Sequence, residues 1–234
     1  MKAQAKTLLM IGASRGLGYA MAEEFVSKNW NVIGTVRDNN KPSLLHDLAN
    51  RYPDQVRIET LDITSQEQIR TLHERLAGQR LDMLYCNAGT TTQDQMIAIG
   101  KVSTEEFNQV MLTNVLGPMR VLEAFDDLVL TNGLIGVMSS GQGSISNNQK
   151  GMREVYRASK AALNMLVKSF AVREQNTARS IVLMAPGWIR TGLGGDQAPF
   201  TLEETVPDIV NVLLAQIHKP GLKYLDRFGN NVPW

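Results

Sequence analysis

The chain has 234 residues, of which 43% are hydrophobic and 20% are charged, and its net charge is only +1. This composition is typical of a folded globular protein with a sizeable core and excludes a largely disordered chain. The near balance of 24 basic and 23 acidic residues gives no electrostatic footprint for a nucleic-acid partner.

The single cysteine, Cys86, excludes an internal disulfide framework and is expected to be a small buried residue. Residues 1–6 run directly into a strand-like segment and lack the longer apolar stretch of a secretory signal. No apolar run approaches the ~20 residues that span a bilayer. We therefore expect a cytoplasmic protein without a membrane partner, and we predict no metal site.

Short apolar runs alternate with helical patterns along most of the chain. The predicted strands are 7–11, 31–36, 56–60, 83–86, 134–138, 180–184 and 223–225. The first six are continuously apolar rather than alternating, which is typical of parallel strands covered on both faces. Repeated β-α units predict an α/β fold: a doubly wound parallel sheet of about seven strands with helices on both faces, in three α/β/α layers. With no linker or internal repeat, residues 1–234 are predicted to form a single domain.

Local signals mark several helix ends. Residues 65–68 and 103–106 read as capping boxes, each with a serine at the N-cap. Gly133 is predicted to end a helix just before the fifth strand. The apolar stripe of the first helix is predicted to contain Met21, Ala22 and Phe25.

A glycine-rich turn follows the first strand and opens the first helix. Glycines allow a tight turn and close backbone approach, and a helix N-terminus offers free N–H groups to a pyrophosphate. A plain strand-to-helix turn is the alternative, but the position and number of the glycines favour a dinucleotide site. The candidate cofactor contacts in this turn are Gly12, Ser14, Arg15, Gly16, Leu17 and Gly18.

The end of the second strand indicates which dinucleotide is bound. An acidic residue there suits the ribose of NAD, whereas an arginine suits the 2′-phosphate of NADP. Here Val36 stands where the acid is expected and Arg37 follows it. Arg15 could close on the same phosphate. Asp38 could instead serve NAD(H), so NADPH is favoured over NAD(H) without excluding it.

Tyr156 and Lys160 are separated by four positions and share one face of a predicted helix. A nearby positive charge favours the phenolate, so the pair is a candidate acid/base for carbonyl chemistry. The same spacing also arises by chance on ordinary amphipathic helices. Its interpretation therefore depends on the surrounding motifs.

Those motifs occur in one order along nearly the whole chain. After the glycine turn come residues 87–89 (Asn-Ala-Gly), Asn114, Ser140, the Tyr156–Lys160 pair and residues 186–191. Together they resemble the short-chain dehydrogenase/reductase family. Residues 144–145, 156–165 and 231–234 are most similar to the C-factor and Sniffer-type carbonyl reductases.

The resemblance implies a Rossmann-type fold and a role for each catalytic residue. Tyr156 would exchange the proton with the substrate oxygen, and Lys160 would lower the pKa of Tyr156 and hold the nicotinamide ribose. Ser140 would hydrogen-bond the substrate carbonyl, and Asn114 would hold a water in a proton relay to Lys160. From the residues alone, Ser140 could instead terminate a strand and Asn114 could cap or kink its helix.

The resemblance also extends the cofactor site beyond the glycine turn. Asp62 and Ile63 would lie beside the adenine, although Asp62 could instead cap the next helix in competition with Thr64 and Ser65. The segment 87–89 would line the central crevice, or serve mainly as a scaffold turn. The further implied cofactor contacts are Asn87, Ala88, Gly89, Tyr156, Lys160, Pro186, Gly187, Ile189 and Thr191.

Three features depart from the family pattern. Ile11 stands where threonine is common, so one hydrogen bond of the turn is expected to be missing. Residues 141–155 form a longer segment than usual and suggest a mobile pocket wall. The predicted substrate lid, at about 190–205, is short. An open site is therefore expected, with Met96, Gln142, Met152 and Trp188 as pocket candidates.

These observations predict an NADPH-dependent carbonyl reductase that acts on a small-molecule aldehyde or ketone. A dinucleotide-responsive signalling protein of the C-factor type and an NAD-dependent alcohol dehydrogenase are the alternatives. The resemblance also implies a homo-oligomer, either a dimer or a tetramer.

Overall fold

The computed structural model describes residues 5–174 and 177–234. Within these ranges the strands are β1 (Thr7–Ile11), β2 (Asn31–Val36), β3 (Val56–Thr60), β4 (Leu81–Cys86), β5 (Val129–Met138), β6 (Ser180–Ala185) and β7 (Gly221–Asp226). The α-helices are α1 (Gly16–Ser27), α2 (Leu44–Arg51), α3 (Gln66–Arg75), α4 (Thr104–Met111), α5 (Gly117–Phe125), α6 (Glu154–Arg173) and α7 (Leu202–Gln216). Residues 1–4, 175 and 176 lie outside the described ranges.

The strands form one sheet in the order β3-β2-β1-β4-β5-β6-β7, and each neighbouring pair is parallel. The order reverses between β1 and β4, and such a switch point opens a crevice at the carboxyl ends of the strands. The predicted α/β fold, a doubly wound sheet in three layers, is confirmed.

Alternate residues of the strands feed two hydrophobic cores on opposite faces of the sheet. Leu9 and Ile11 of β1 pack with the core beneath α3, α5 and α6. Leu8 and Met10 pack with the core beneath α1, α2 and α7. Burial on both faces explains why the central strands are continuously apolar. Cys86 lies buried in the first core, as predicted.

Gly133 does not end a helix, and that prediction was wrong. Helix α5 ends at Phe125, and Gly133 lies inside β5. The β4–β5 register shifts at this point, because Leu81 pairs with Val129 whereas Met83 pairs with Leu134. A Cβ on Gly133 would stand 2.9 Å from the Asp82 carbonyl oxygen, so glycine permits the close approach that this irregularity requires.

The two predicted capping boxes form only in part. Ser65 and Ser103 are N-caps whose hydroxyls accept from the backbone N–H three residues later. Neither reciprocal bond forms: the Gln68 side chain accepts from Asp62 N, and that of Glu106 accepts from Gln93 N. A complete capping box is found instead at Thr201, the N-cap of α7.

No helix in the described part of the chain has the length and apolar character needed to cross a membrane. Nor do three or more His, Cys, Asp or Glu side chains within residues 5–174 and 177–234 gather as metal ligands would.

Candidate active site

The glycine-rich turn joins β1 to α1 at the switch point of the sheet. Gly12 and Gly16 have positive φ angles of 84° and 57°, which glycine adopts without a steric penalty. A Cβ on Gly18 would lie 2.0 Å from the Gly12 carbonyl oxygen, so the missing side chain lets α1 pack against the turn. Ser14 and Leu17 lie partly buried in the same turn.

The first turn of α1 is suited to an anion. It contains no acidic residue, and its N-cap, Arg15, makes no side-chain cap, so backbone N–H groups are left for a ligand. Thr35 of β2 steadies the turn: Gly12 N donates to its hydroxyl and Ala13 N to its carbonyl, both at 2.9 Å. A threonine on β2 thus contributes a hydroxyl where Ile11 has none.

Two exposed arginines flank the place expected for the adenosine ribose, Arg15 in the turn and Arg37 just after β2. The Asp38 carboxylate is occupied within its own loop, where it accepts from Asn40 N at 3.0 Å and pairs with Lys41 Nζ at 3.6 Å. Arg37 is therefore the charged side chain available at this end of β2.

The segment after β4 is hydrogen-bonded to the end of β1 and to the glycine turn. Asn87 N and Ala88 N donate to the Ile11 carbonyl at 3.0 and 3.2 Å, and Asn87 Nδ2 donates to the Gly12 carbonyl at 2.9 Å. The scaffold interpretation of residues 87–89 thus has direct support. Their position beside the glycine turn leaves the cofactor interpretation open as well.

Asn114 lies in a π-helix, Leu112–Leu116, that joins α4 to α5. Wide π turns inside longer helices are frequent at functional sites. The Asn114 side chain is fully buried. Its amide donates to the Thr90 carbonyl at 2.8 Å and to Ser159 Oγ at 3.0 Å, while its oxygen accepts from Thr90 N at 2.8 Å.

Gly89 stands between Asn114 and Lys160. A Cβ built on it would lie 3.4 Å from Asn114 Oδ1 and 3.6 Å from Lys160 Nζ. The helix bearing Asn114 and the helix bearing Lys160 therefore meet at this glycine. Its lack of a side chain lets both groups lie close to its backbone.

The two serines that follow β5 have different environments. Ser139 is buried, and its hydroxyl donates to Asn164 Oδ1 at 2.6 Å. The Ser140 hydroxyl accepts from Gln142 N at 3.1 Å, which leaves its own hydrogen for another acceptor. The Ser140 carbonyl accepts from the Tyr224 hydroxyl of β7. Ser140, rather than Ser139, is thus the serine with hydrogen-bonding capacity to spare.

Tyr156 and Lys160 are buried on one face of α6. Lys160 Nζ donates to the Met138 carbonyl at 2.9 Å and lies 5.8 Å from the centre of the Tyr156 ring. Because Met138 is the last residue of β5, this bond fixes the lysine beside the Ser139–Ser140 segment.

Burial shifts the pKa of both groups. It lowers the pKa of Lys160 to about 8 and raises the pKa of Tyr156, because a low-dielectric site disfavours the charged form of each. The positive charge of Arg153 and a hydrogen bond with Ser140 oppose the rise in the pKa of Tyr156.

Arg153 is a site residue that the sequence analysis missed. Its guanidinium carbon lies 4.9 Å from the centre of the Tyr156 ring, nearer than Lys160 Nζ. No helix-spacing rule could have found it, because Arg153 precedes α6 as its N-cap and has a left-handed backbone conformation.

Asp62 and Ile63 follow β3 at the carboxyl end of the sheet. Asp62 Oδ1 accepts from the backbone N–H and the hydroxyl of Thr64 at 2.9 and 2.7 Å, so it closes its own turn, while Ser65 is the N-cap of α3. Ile63 is buried against Gly117. Both residues thus stabilise the loop at the site expected for the adenine.

The segment after β6 packs against the glycine turn, since a Cβ on Gly16 would meet the Thr191 methyl at 3.8 Å. Gly187 has a φ of 99°, and Ile189 is buried and bridges to Phe200. The Pro186 carbonyl accepts from Arg227 Nη1 at 3.3 Å.

The predicted lid falls on a loop and the start of a helix. Its ends are joined by the bond from Arg190 N to the Phe200 carbonyl at 2.8 Å, and Trp188 Nε1 donates to the Gly194 carbonyl at 2.7 Å. Helix α7 begins at Leu202 and takes up the last part of the range 190–205. The side chains of Met96, Met152 and Trp188 are largely exposed, in keeping with an open site.

Comparison with known proteins places this arrangement in a family. Residues 6–200 match the profile of the short chain dehydrogenases. A short-chain dehydrogenase/reductase from Burkholderia multivorans with bound NADP is 54% identical and superposes with a TM-score of 0.97, covering 98% of this chain and 100% of its own. The carbonyl reductase Sniffer of D. melanogaster is 25% identical with a TM-score of 0.88, covering 99% of this chain and 100% of its own. The C-signal protein of Myxococcus xanthus is 31% identical over 66% of this chain and 93% of its own.

The family match covers more than half of the chain, and the likeness to Sniffer and C-signal agrees with the subgroup that the motifs indicated. The chain belongs to the short-chain dehydrogenase/reductase family, among its carbonyl reductase-like members.

Proposed function

We propose that this oxidoreductase is an NADPH-dependent carbonyl reductase that converts an aldehyde or ketone to an alcohol. The observation that carries the proposal is the buried Tyr156 phenol, which lies beside Lys160 and Ser140 at the carboxyl ends of the central strands. This is where open parallel sheets bind their ligands. The family assignment and the NADP bound to the Burkholderia relative support the same conclusion.

Tyr156 would donate its phenolic proton to the substrate oxygen. Bound NADPH would supply the hydride, and the negative charge that develops on the oxygen needs donors already in place. The Ser140 hydroxyl accepts from Gln142 N, and its own hydrogen can be donated to that oxygen. The raised pKa of Tyr156 keeps the phenol protonated and able to act as the acid.

Lys160 would hold the nicotinamide ribose and favour the phenolate that is left after proton transfer. Its ammonium is fixed by the Met138 carbonyl, so two of its three hydrogens are available to other acceptors. We propose that a water between Asn114 and Lys160 returns the proton. The position of Asn114 Oδ1 and Lys160 Nζ beside the same glycine, Gly89, supports this relay.

Replacement of Tyr156 by phenylalanine tests the proposal. The change removes only the hydroxyl, so kcat should fall by about 100-fold or more while the Kd for NADPH stays the same. The measurement is NADPH oxidation with a panel of aldehydes, ketones and diketones. Tyr52→Phe, at an exposed tyrosine outside the site, is the matched control. Equal turnover by wild type and Tyr156→Phe would refute the mechanism.

The cofactor preference is assigned to Arg15 and Arg37 and is tested separately. Arg37→Ala should weaken NADPH binding by about 10- to 100-fold, because a charge-assisted contact to the 2′-phosphate is lost. NADH binding should be unaffected. The exposed Arg80, next to the amino end of β4, provides the control variant Arg80→Ala. A parallel loss of both nucleotides would instead indicate damage to the fold, and no loss would show that Arg37 does not contact the 2′-phosphate.

Three further expectations from the sequence belong with this proposal. The substrate is a small molecule, the protein is cytoplasmic, and it assembles as a homodimer or homotetramer. The short substrate lid at about 190–205 and the single catalytic domain spanning residues 1–234 belong to the same proposal.

A further inference from the structure

The backbone takes an unusual course just before α6. Gly151, Met152 and Arg153 have positive φ angles of 68°, 26° and 58° in succession. Two of the three are not glycine, and such conformations carry a cost of about 1–3 kcal/mol each that persists where the surrounding structure enforces it. They cluster at functional sites, so this turn calls for a functional explanation.

Neighbouring contacts hold the turn in place. Arg157 Nε donates to the Met152 carbonyl at 2.8 Å, and Arg157 N donates to the Arg153 carbonyl at 2.9 Å. The Glu154 carboxylate, at the start of α6, accepts from Ile99 N at 2.8 Å. The consequence is that Arg153 projects over the ring of Tyr156.

The Arg153 guanidinium has no partner of opposite charge among residues 5–174 and 177–234. Its Nε and Nη2 are buried without a hydrogen-bond partner, and it takes part in no ion pair within these ranges. An arginine stays protonated in proteins, and a buried charged donor without an acceptor is destabilising. Burial and the nearby Arg157 both lower its pKa, whereas only Tyr156 opposes them.

A second unpaired group lies at the other end of the same segment. Gln142 Oε1 is also buried without a partner, two residues after Ser140. The segment between Ser140 and Tyr156 thus begins and ends with polar groups whose hydrogen-bonding capacity is unused. Arg153 as a whole is only partly buried, so part of its side chain faces solvent beside Tyr156.

We propose that Arg153 binds an anionic group of the substrate, so that the preferred substrates are carbonyl compounds carrying a carboxylate within a few bonds of the carbonyl carbon. When the substrate oxygen accepts from Tyr156, the carboxylate pairs with the guanidinium above the same ring. Arginine suits this task because its planar donors match a carboxylate. The inference rests on the proposed carbonyl reduction and names its substrate class.

The test compares phenylglyoxylate with its methyl ester, which share the ketone and the ring but differ in charge. Binding of each to the NADP⁺ complex is measured by calorimetry, where no turnover is needed, and KM and kcat are measured with NADPH. Wild type should bind the acid at least about tenfold more tightly than the ester. Arg153→Met should weaken binding of the acid by about 10- to 100-fold and leave binding of the ester nearly unchanged.

Two further variants separate recognition from structure. Arg153→Lys keeps the charge and should retain part of the preference for the acid. Lys150→Met, which removes an exposed cation from the same loop, should behave as wild type. If Arg153→Met does not fold, the acid-to-ester ratio in wild type and Arg153→Lys decides the question.

Several outcomes would overturn the inference. The first is equal affinity of wild type for the acid and the ester. The second is an equal loss of affinity for both compounds in Arg153→Met. The third is a loss of NADP⁺ binding in Arg153→Met, which would show that Arg153 binds an anionic group of the cofactor. A shifted pH profile with unchanged acid binding would show that Arg153 acts only through Tyr156. Failure of every carbonyl compound to turn over would refute the proposed reductase, while the binding data would still report on Arg153.

Discussion

At the scale of single residues, the site combines two ionisable groups whose burial opposes their charged forms. Lys160 is buried, and its Nζ donates a hydrogen bond to the Met138 carbonyl. Its pKa falls from 10.5 to about 8 because the interior disfavours the ammonium. A lysine at this position therefore costs folding free energy while it is charged.

This cost predicts a specific pH dependence of stability. Below pH 8 Lys160 is protonated in both the folded and the unfolded chain, so the penalty is fully present. As the pH rises from about 8 towards 10.5, the unfolded chain binds more protons than the folded one, so the free energy of unfolding rises. For this group the total gain is roughly 3 kcal/mol.

The measurement is urea unfolding of the cofactor-free protein at several pH values between about 7 and 10. Other groups titrate in this range, so the informative quantity is the difference between wild type and Lys160→Met. The variant should be more stable relative to wild type at neutral pH than at high pH. Parallel profiles would contradict the assigned pKa.

At the scale of secondary-structure elements, irregular features position the site. The π-helix turns Asn114 inward to Thr90 and Ser159, and the left-handed turn before α6 directs Arg153 over Tyr156. The glycines of the first turn allow α1 and the segment after β4 to approach the end of β1 closely.

Gly18→Ala tests this close approach. The new Cβ would lie 2.0 Å from the Gly12 carbonyl oxygen and 2.6 Å from Asn87 Nδ2, and neither the backbone nor a hydrogen-bonded amide can yield cheaply. The free energy of unfolding should fall by about 1–3 kcal/mol or more, and NADPH binding should weaken. Urea unfolding and nucleotide titration provide the two readouts.

The control for this variant is Gly100→Ala. Gly100 is exposed, lacks a positive φ, and a Cβ there meets nothing within 4 Å. Its effect on stability should stay within about 0.5 kcal/mol. If Gly18→Ala were as mild as this control, the close packing of α1 against the turn would not be needed.

At the scale of the whole molecule, a single sheet separates the two hydrophobic cores and brings the candidate site residues together at one edge. The strand order puts β1 and β4 side by side although α1, β2, α2, β3 and α3 lie between them in the chain. The carboxyl ends of β1, β4 and β5 therefore bring together the glycine turn, Asn87 and Ser140. The helices on one face of the sheet place Asn114, Tyr156 and Lys160 at the same edge.

Most of the fold could be predicted because its signals are local. Continuous apolar strands separated by helical patterns are a direct consequence of burial on both faces of a parallel sheet, and β2 and β3 begin and end where predicted. Gly133 was misread because a glycine before a strand has the same local sequence whether it ends a helix or sits at a bulge. Only the pairing with β4 distinguishes the two.

By itself the sequence determined the class of fold, the order of the motifs and the helix face shared by Tyr156 and Lys160, since each follows from periodicity or spacing along the chain. The tertiary structure alone decided that Met138 holds Lys160, that Thr35 completes the glycine turn and that Arg153 covers the tyrosine ring. The first two contacts join residues far apart in the chain, and the third depends on a left-handed turn. Burial and charge in the site depend on these contacts, and no local pattern encodes them.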